Sequence, residues 1–148
     1  GYTVLTGDSS IRSNRPIQPL VDGLKGLGAW AASTRGNGYA PFVVKGPLQP
    51  GATTLIGHDS QPVSALLMAA AFVPGKTTIE VKEAGEKPWI GLTLSWLDRL
   101  GVRYQQRDLA HFVVEGQRER PAFTFALPGD FSSLAFPVAA ALITHSTL

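Results

Sequence analysis

Cysteine is absent from this sequence of 148 residues, and histidine occurs only three times. Without cysteine, no disulfide and no thiolate-ligated zinc can form. The histidines, His58, His111 and His145, are too dispersed along the chain to indicate a metal site. The sequence therefore predicts neither a disulfide framework nor a metal, and no motif in it calls for a cofactor.

Long apolar runs are also missing. The runs Ala65–Val73 and Phe136–Ile143 are far shorter than a membrane span and have the length of buried helices. Residues Gly1–Leu5 show neither the basic start nor the long apolar core of a signal peptide. We therefore expect a soluble, cytoplasmic protein with no membrane partner.

Charge is modest and evenly spread. Charged residues make up 16% of the chain, and the 13 lysines and arginines leave a formal net charge of only +2. A duplex-binding protein usually carries a basic stripe, which this sequence lacks, so nucleic acid is not an expected partner. A hydrophobic content of 44% excludes a disordered tail, and the composition fits a domain that binds a small anionic ligand.

Hydrophobic periodicity and turn signals predict alternating strands and helices. A middle unit from about Thr53 to Glu115 has the order βαβαββ, with partial units of the same kind on either side. This pattern predicts a mixed α+β repeat fold in which helices pack inside the sheets. The predicted strands are Tyr2–Leu5, Trp30–Thr34, Pro41–Lys45, Thr53–Ile56, Thr77–Val81, Val102–Gln105, Phe112–Glu115 and Pro121–Ala126. The predicted helices are Pro16–Leu27, Gln61–Phe72, Pro88–Leu100 and Ser132–Ile143, and Thr6–Asn14 is expected to be a polar loop.

One device occurs twice: a cation, a proline, and then a helix that ends at Leu-Gly. Arg15 precedes Pro16 in the first copy, and Lys87 precedes Pro88 in the second. Proline is tolerated at a first helical position, and backbone N–H groups at a helix start favour anions. Arg15 is therefore a candidate for a bidentate contact with a phosphate or carboxylate, although a solvated arginine at a loop end would give the same local pattern.

A third helix start contains Ser60, Gln61 and Pro62. Capping alone explains the serine and the proline, whereas the long amide of Gln61 adds nothing to a cap and could bond a ligand. The neighbouring His58-Asp59-Ser60 superficially suggests a hydrolase triad, but three consecutive residues cannot form the required relay. Trp89, after Pro88, is either a core residue or the wall of a site. Near the chain end, Asp130 is expected to cap the last helix.

These residues together resemble the enolpyruvyl transferase family along nearly the whole chain. The resemblance is carried by Leu5–Asp8, Arg15–Leu20, Ser60–Ala70, Lys87-Pro88 and Gly129–Ser133. It implies an inside-out α/β barrel fold of two similar domains, each built from three βαβαββ units with buried helices and outer sheets. It also implies that the chain is an internal fragment, with residues 1–127 forming the later part of the first domain. Residues 128–148 would then form the crossover and the start of the second domain.

The resemblance implies a reaction as well: transfer of the enolpyruvyl group of phosphoenolpyruvate to the 5-hydroxyl of shikimate 3-phosphate, a step of aromatic amino acid biosynthesis. By position, Arg15 and Gln61 would bind phosphoenolpyruvate. Ser60, Gln61, Asp59 and Trp89 would bind shikimate 3-phosphate. No residue of this chain matches a proton-transfer catalyst, and the family's remaining contacts would come from the rest of the same protein.

Three positions depart from the family pattern. Asp59 and Glu86 stand where the family has serines, and Trp89 stands where it has tyrosine. A carboxylate in place of a hydroxyl would repel phosphate unless it points away from the site.

Two alternatives stay open at this stage. The first is a UDP-N-acetylglucosamine enolpyruvyl transferase, disfavoured because the nucleophilic cysteine of that enzyme has no counterpart here. The second is a non-catalytic repeat domain that binds an anionic partner or assembles with other chains.

Overall fold

The structure is a computed structural model that describes residues 1–119 and 121–147. Two β-sheets and the helices packed against them account for residues 1–116, and a further helix follows near the end. The strands are β1 Thr3–Leu5, β2 Trp30–Ser33, β3 Phe42–Lys45, β4 Ala52–Ile56, β5 Gly75–Lys82, β6 Arg103–Arg107 and β7 His111–Gly116. The helices are α1 Ser9–Ser13, α2 Gln18–Gly26, α3 Ser60–Ala70, α4 Lys87–Arg99 and α5 Phe131–Thr144.

The larger sheet confirms the predicted βαβαββ unit. Its strand order is β4-β5-β7-β6, with β4 and β5 parallel and joined by α3. β7 then pairs antiparallel with both β5 and β6. In the parallel pair Ile56 stands opposite Lys82, so β4 and β5 end at the same edge of the sheet. The loops that enter α3 and α4 therefore leave the sheet side by side.

The smaller sheet repeats half of this arrangement. Its order is β1-β3-β2 and both pairings are antiparallel, as they are for β5, β7 and β6. In both sheets a strand leads into a helix and then a hairpin, and the second hairpin strand returns beside the first strand. The internal repeat predicted from the sequence is thus present in the topology.

α3 lies at the centre of the main hydrophobic core. Its Val63, Leu66 and Leu67 are fully buried together with Ile79 of β5 and Phe112 of β7. Burial of these aliphatic and aromatic side chains stabilises the fold because it removes apolar surface from water. α4 adds Ile90, Leu94 and Leu97 to the same core from one side, while its opposite face is exposed.

Close backbone contacts hold α2 against the larger sheet and so join the two sheets. The Thr53 hydroxyl of β4 donates a hydrogen bond to the Gly23 carbonyl at 2.9 Å. A Cβ on Gly26 would lie 2.2 Å from Thr53 Oγ1, so only glycine allows the helix to come this near. This contact sets the position of the segment that carries Arg15.

Three predicted elements differ from the structure. The predicted loop Thr6–Asn14 contains α1, because the Asp8 carboxylate accepts a hydrogen bond from Ile11 N at 3.0 Å and caps the turn. α2 begins at Gln18, two residues later than predicted; Ile17 is its N-cap, and the Ile17 N–H donates to the Gly38 carbonyl at 2.8 Å.

The third difference concerns the predicted strand Pro121–Ala126, which pairs with no strand of the described chain. Phe123 and Phe125 instead pack against the Trp96 ring of α4, with ring centroids 5.8 and 4.7 Å apart from it. α5, capped by Asp130 as predicted, leaves its side chains largely exposed. Within the described residues, no helix combines the length and the apolar character needed to cross a membrane.

Candidate functional site

The first turn of α3 is held by several hydrogen bonds from its backbone and side chains. Asp59 is the N-cap, and its carboxylate accepts a hydrogen bond from Gln61 N at 2.8 Å. Ser60 is only 3% exposed, and its backbone N–H and its hydroxyl both donate to Glu86 Oε2, at 3.1 and 2.9 Å. The first turn of α3 therefore already binds two carboxylates of its own chain.

Glu86 reaches Ser60 because two loops are packed together. Gly85 N–H donates to the Gly57 carbonyl at 2.9 Å, which ties the loop before α4 to the loop before α3. A Cβ on Gly85 would lie 2.5 Å from the His58 carbonyl oxygen, so this approach requires glycine. Glu86 itself has φ 46, in the left-handed region, and stands at the N-cap position of α4 without a side-chain cap.

Beside this contact lies an open cleft of about 440 Å³ between α3 and α4. Gln61 and Trp89 stand at its mouth, and the Trp89 side chain is 58% exposed. Within the described residues the side-chain amide of Gln61 and the indole N–H of Trp89 make no hydrogen bond. Both groups can therefore donate a hydrogen bond to a ligand in the cleft. Two further lining residues join α3 to α4, because the Thr93 hydroxyl donates to Ser64 Oγ at 2.8 Å.

Arg15 approaches from the segment before α2. Its side chain is exposed and makes no hydrogen bond or ion pair within residues 1–119 and 121–147. Its charge nevertheless acts on Glu86. The pKa of Glu86 is lowered mainly by the hydrogen bond from the Ser60 backbone and next by the one from the Ser60 hydroxyl; slight burial opposes this, and the Arg15 charge lowers it further.

The site residues predicted from the sequence thus fall into two groups. Ser60, Gln61 and Trp89 surround one cleft, and Arg15 is linked to it through the electrostatic interaction with Glu86. Asp59 turns its carboxylate to the backbone of its own helix, so Asp59 is the N-cap of α3 and the expectation that Ser60 caps this helix is wrong. Ser60 is the first residue of the helix, and its hydroxyl donates to Glu86 instead.

The rejection of a hydrolase triad agrees with the geometry, because His58 pairs with Glu83 at 3.1 Å. Within the described part of the chain no three His, Asp or Glu side chains are arranged to hold a metal ion.

Glu86 is the residue whose position sequence reasoning missed. Its carboxylate was expected to disfavour phosphate unless it pointed away from the site, yet it points directly at Ser60. The local signal in the sequence is weak: Gly85 and Glu86 directly precede Lys87-Pro88 at the start of α4. Only the pairing of β4 with β5 shows that this residue faces Ser60.

The fold and the site define a class of protein: a repeat of βαβαββ units in which anion-favouring helix starts meet at one edge. Comparison with known proteins identifies the family. The sequence model of the family "EPSP synthase (3-phosphoshikimate 1-carboxyvinyltransferase)" matches residues 1–148, and the chain belongs to that family.

Individual relatives agree with this assignment. The chain is 44% identical over 137 residues to the 3-phosphoshikimate 1-carboxyvinyltransferase of Acetivibrio thermocellus, which covers 92% of this chain and 32% of the relative. It is 39% identical to the enzyme of that name from Ruminiclostridium cellulolyticum, over 100% of this chain and 35% of the relative. The chain thus spans about a third of the length of these curated relatives.

A solved structure, the EPSP synthase from Acinetobacter baumannii, has a similar fold. It superposes with a TM-score of 0.71 at 25% sequence identity and covers 91% of this chain and 29% of that chain. The fold expected from the resemblance, an α+β enolpyruvyl transferase fold, is therefore confirmed.

Proposed function

We propose that this chain forms the substrate-binding part of an enzyme that transfers the enolpyruvyl group of phosphoenolpyruvate to the 5-hydroxyl of shikimate 3-phosphate, with release of phosphate. One observation supports this most: an unpaired Arg15 and the start of α3 act on the same carboxylate, in a chain that the family model matches from end to end. Both substrates are anions, and the arginine and the helix start of this site favour negatively charged ligands.

The proposed roles follow from the chemistry of each group. The Arg15 guanidinium can bind a carboxylate or phosphate of phosphoenolpyruvate with two parallel N–H bonds, and the Gln61 amide can donate beside it. Ser60, Gln61 and the Trp89 ring would contact shikimate 3-phosphate along the cleft, next to Asp59 at the cap. Groups that are held in place before the reaction stabilise the negative charge that develops during addition and elimination.

The groups that transfer protons are proposed to lie in the remainder of the same protein. The hydrogen bonds from Ser60 lower the pKa of Glu86, whereas a carboxyl group that acts as a general acid near neutral pH needs a raised pKa. The reaction as proposed needs neither a metal nor an organic cofactor. The proposed setting is the cytoplasm, since both substrates are small soluble anions.

Residues 1–127 are proposed to belong to the first domain and residues 128–148 to the crossover and the start of the second. The exposed apolar side chains of α5 support this division. Phe131, Phe136, Leu142 and Ile143 are each at least 72% exposed, unlike the apolar residues of α3. A helix of this kind needs a surface to pack against.

Release of phosphate by the full-length protein tests the proposal directly. With phosphoenolpyruvate and shikimate 3-phosphate we expect turnover, and with UDP-N-acetylglucosamine as the acceptor we expect none. Shikimate without its phosphate should be a much poorer acceptor, because it lacks the charge that the helix starts favour. Turnover with the nucleotide sugar alone, or none with either acceptor, would contradict the proposal.

A further inference from the structure

The carboxylate of Glu86 occupies an anion position that belongs to Ser60. A helix start has N–H groups without intrahelical partners, and an anion commonly satisfies them. Here Glu86 Oε2 accepts from both the Ser60 N–H and the Ser60 hydroxyl. Ser60 is only 3% exposed, and both of its donors are bonded to an exposed carboxylate, so an external anion can accept from them only by replacing Glu86.

We propose that Glu86 is a specificity-determining residue of the acceptor site: its carboxylate competes with the ligand for Ser60 and must withdraw before a ligand oxygen can bind there. The inference rests on the proposed function, because it concerns the same cleft. It adds that a neutral hydroxyl of a ligand does not displace Glu86, whereas a phosphate does.

Withdrawal of Glu86 breaks little else. Within the described residues, its side chain makes only the two hydrogen bonds from Ser60, besides its electrostatic interaction with Arg15. Glu86 is the N-cap residue of α4, but its side chain makes no cap hydrogen bond. Its exposed position lets the freed carboxylate be hydrated at once, so the contact is weak enough to exchange. Arg15 is attracted to whichever anion is present, and a phosphate dianion gains more from that charge than a carboxylate does.

The apparent affinity of a ligand falls by the fraction of molecules in which its site is open. If Glu86 holds Ser60 in nine molecules of ten, removing this competitor tightens binding about tenfold. Glu86→Ser empties the position, and Glu86→Gln keeps the size of the side chain but replaces the carboxylate with a weaker acceptor. Glu83→Gln is the matched control, because it removes the same charge three residues away, where the partner is His58.

The experiment is isothermal titration of the full-length protein and these variants with inorganic phosphate and, separately, with shikimate 3-phosphate. We expect both Glu86 variants to bind inorganic phosphate about tenfold more tightly than the parent protein, with Glu83→Gln within about twofold of it. The Ser60 amide resonance, followed by NMR, should shift on phosphate addition at correspondingly lower concentrations.

Unchanged or weaker phosphate binding by both Glu86 variants would overturn the inference, as would an equal gain in Glu83→Gln. Should Glu86→Ser fail to fold, Glu86→Gln carries the same test. The same titrations distinguish a failure of this inference from a failure of the proposed function. A gain for inorganic phosphate without any binding of shikimate 3-phosphate supports the competitor and refutes the proposed substrate. Tight binding of shikimate 3-phosphate by all forms alike does the reverse.

Discussion

Replacing Arg15 by alanine in the full-length protein should impair use of phosphoenolpyruvate and leave folding intact. The side chain is exposed and unpaired within the described residues, so its loss should change the free energy of unfolding by no more than about 0.5 kcal/mol. A charge-assisted contact with an anionic ligand is worth about 1.5–3 kcal/mol. That range corresponds to a loss of roughly 10- to 100-fold in affinity for phosphoenolpyruvate, and more if the contact tightens in the transition state.

Two further variants separate charge, geometry and position. Arg15→Lys keeps the cation but loses the planar fork of N–H groups, so it should recover only part of the lost kcat/KM. Arg12→Ala removes another exposed cation, three residues earlier and on α1, and should have little effect. Steady-state kinetics and urea melts on all three decide the matter. Parental kcat/KM in Arg15→Ala, or an equal loss in Arg12→Ala, would refute the assignment of Arg15 to the site.

Three other outcomes are expected. Gly26→Ala should destabilise the protein by about 1–3 kcal/mol in urea melts, because its Cβ would displace the Thr53 side chain. Gly91→Ala, on the open face of α4, is the control and should stabilise the protein by up to about 1 kcal/mol. Equal effects of the two substitutions would refute the packing argument. The pKa of Asp130 is lowered from 3.8, first by the hydrogen bond from the Ser133 hydroxyl and next by those from the Ser132 and Ser133 backbone N–H groups. The Asp130 cap therefore stabilises α5 fully above about pH 3.8. This stabilisation is lost as the pH falls through the lower pKa that Asp130 has in the folded protein. Amide exchange at Ser133 should accelerate in that acid window, and a rate that follows intrinsic exchange alone would contradict this. The 148-residue chain by itself should release no phosphate from the two substrates above the blank without enzyme, and turnover would show that its residues include the proton-transfer groups.

Most of the regular structure was predictable because its signals are local. Alternating apolar residues identified β4, β5 and β7, and the apolar stripe and flanking Pro and Gly identified α3 and α4. The errors arose where a local signal was weak or ambiguous. α1 is short and polar, so it has no apolar stripe to detect, and its turn is held by the Asp8 cap and backbone hydrogen bonds. The segment Pro121–Ala126 has the composition of a strand, but a strand needs a partner, and here its aromatic rings pack on Trp96 instead.

By itself the sequence determined the order of the elements from α2 to β7, the repeat, the family and the identity of the residues at each of these helix starts. Features of this kind depend on residues a few positions apart, such as Asp130, whose carboxylate caps the start of α5. Only the tertiary structure decided that Ser60 binds Glu86, which lies 26 residues further along the chain. The parallel pairing of β4 with β5 brings the two strand ends to one edge, and glycine at position 85 lets the loops touch. Because neither condition can be read from a local pattern, the Glu86 carboxylate that fills the anion position became visible only in the folded chain.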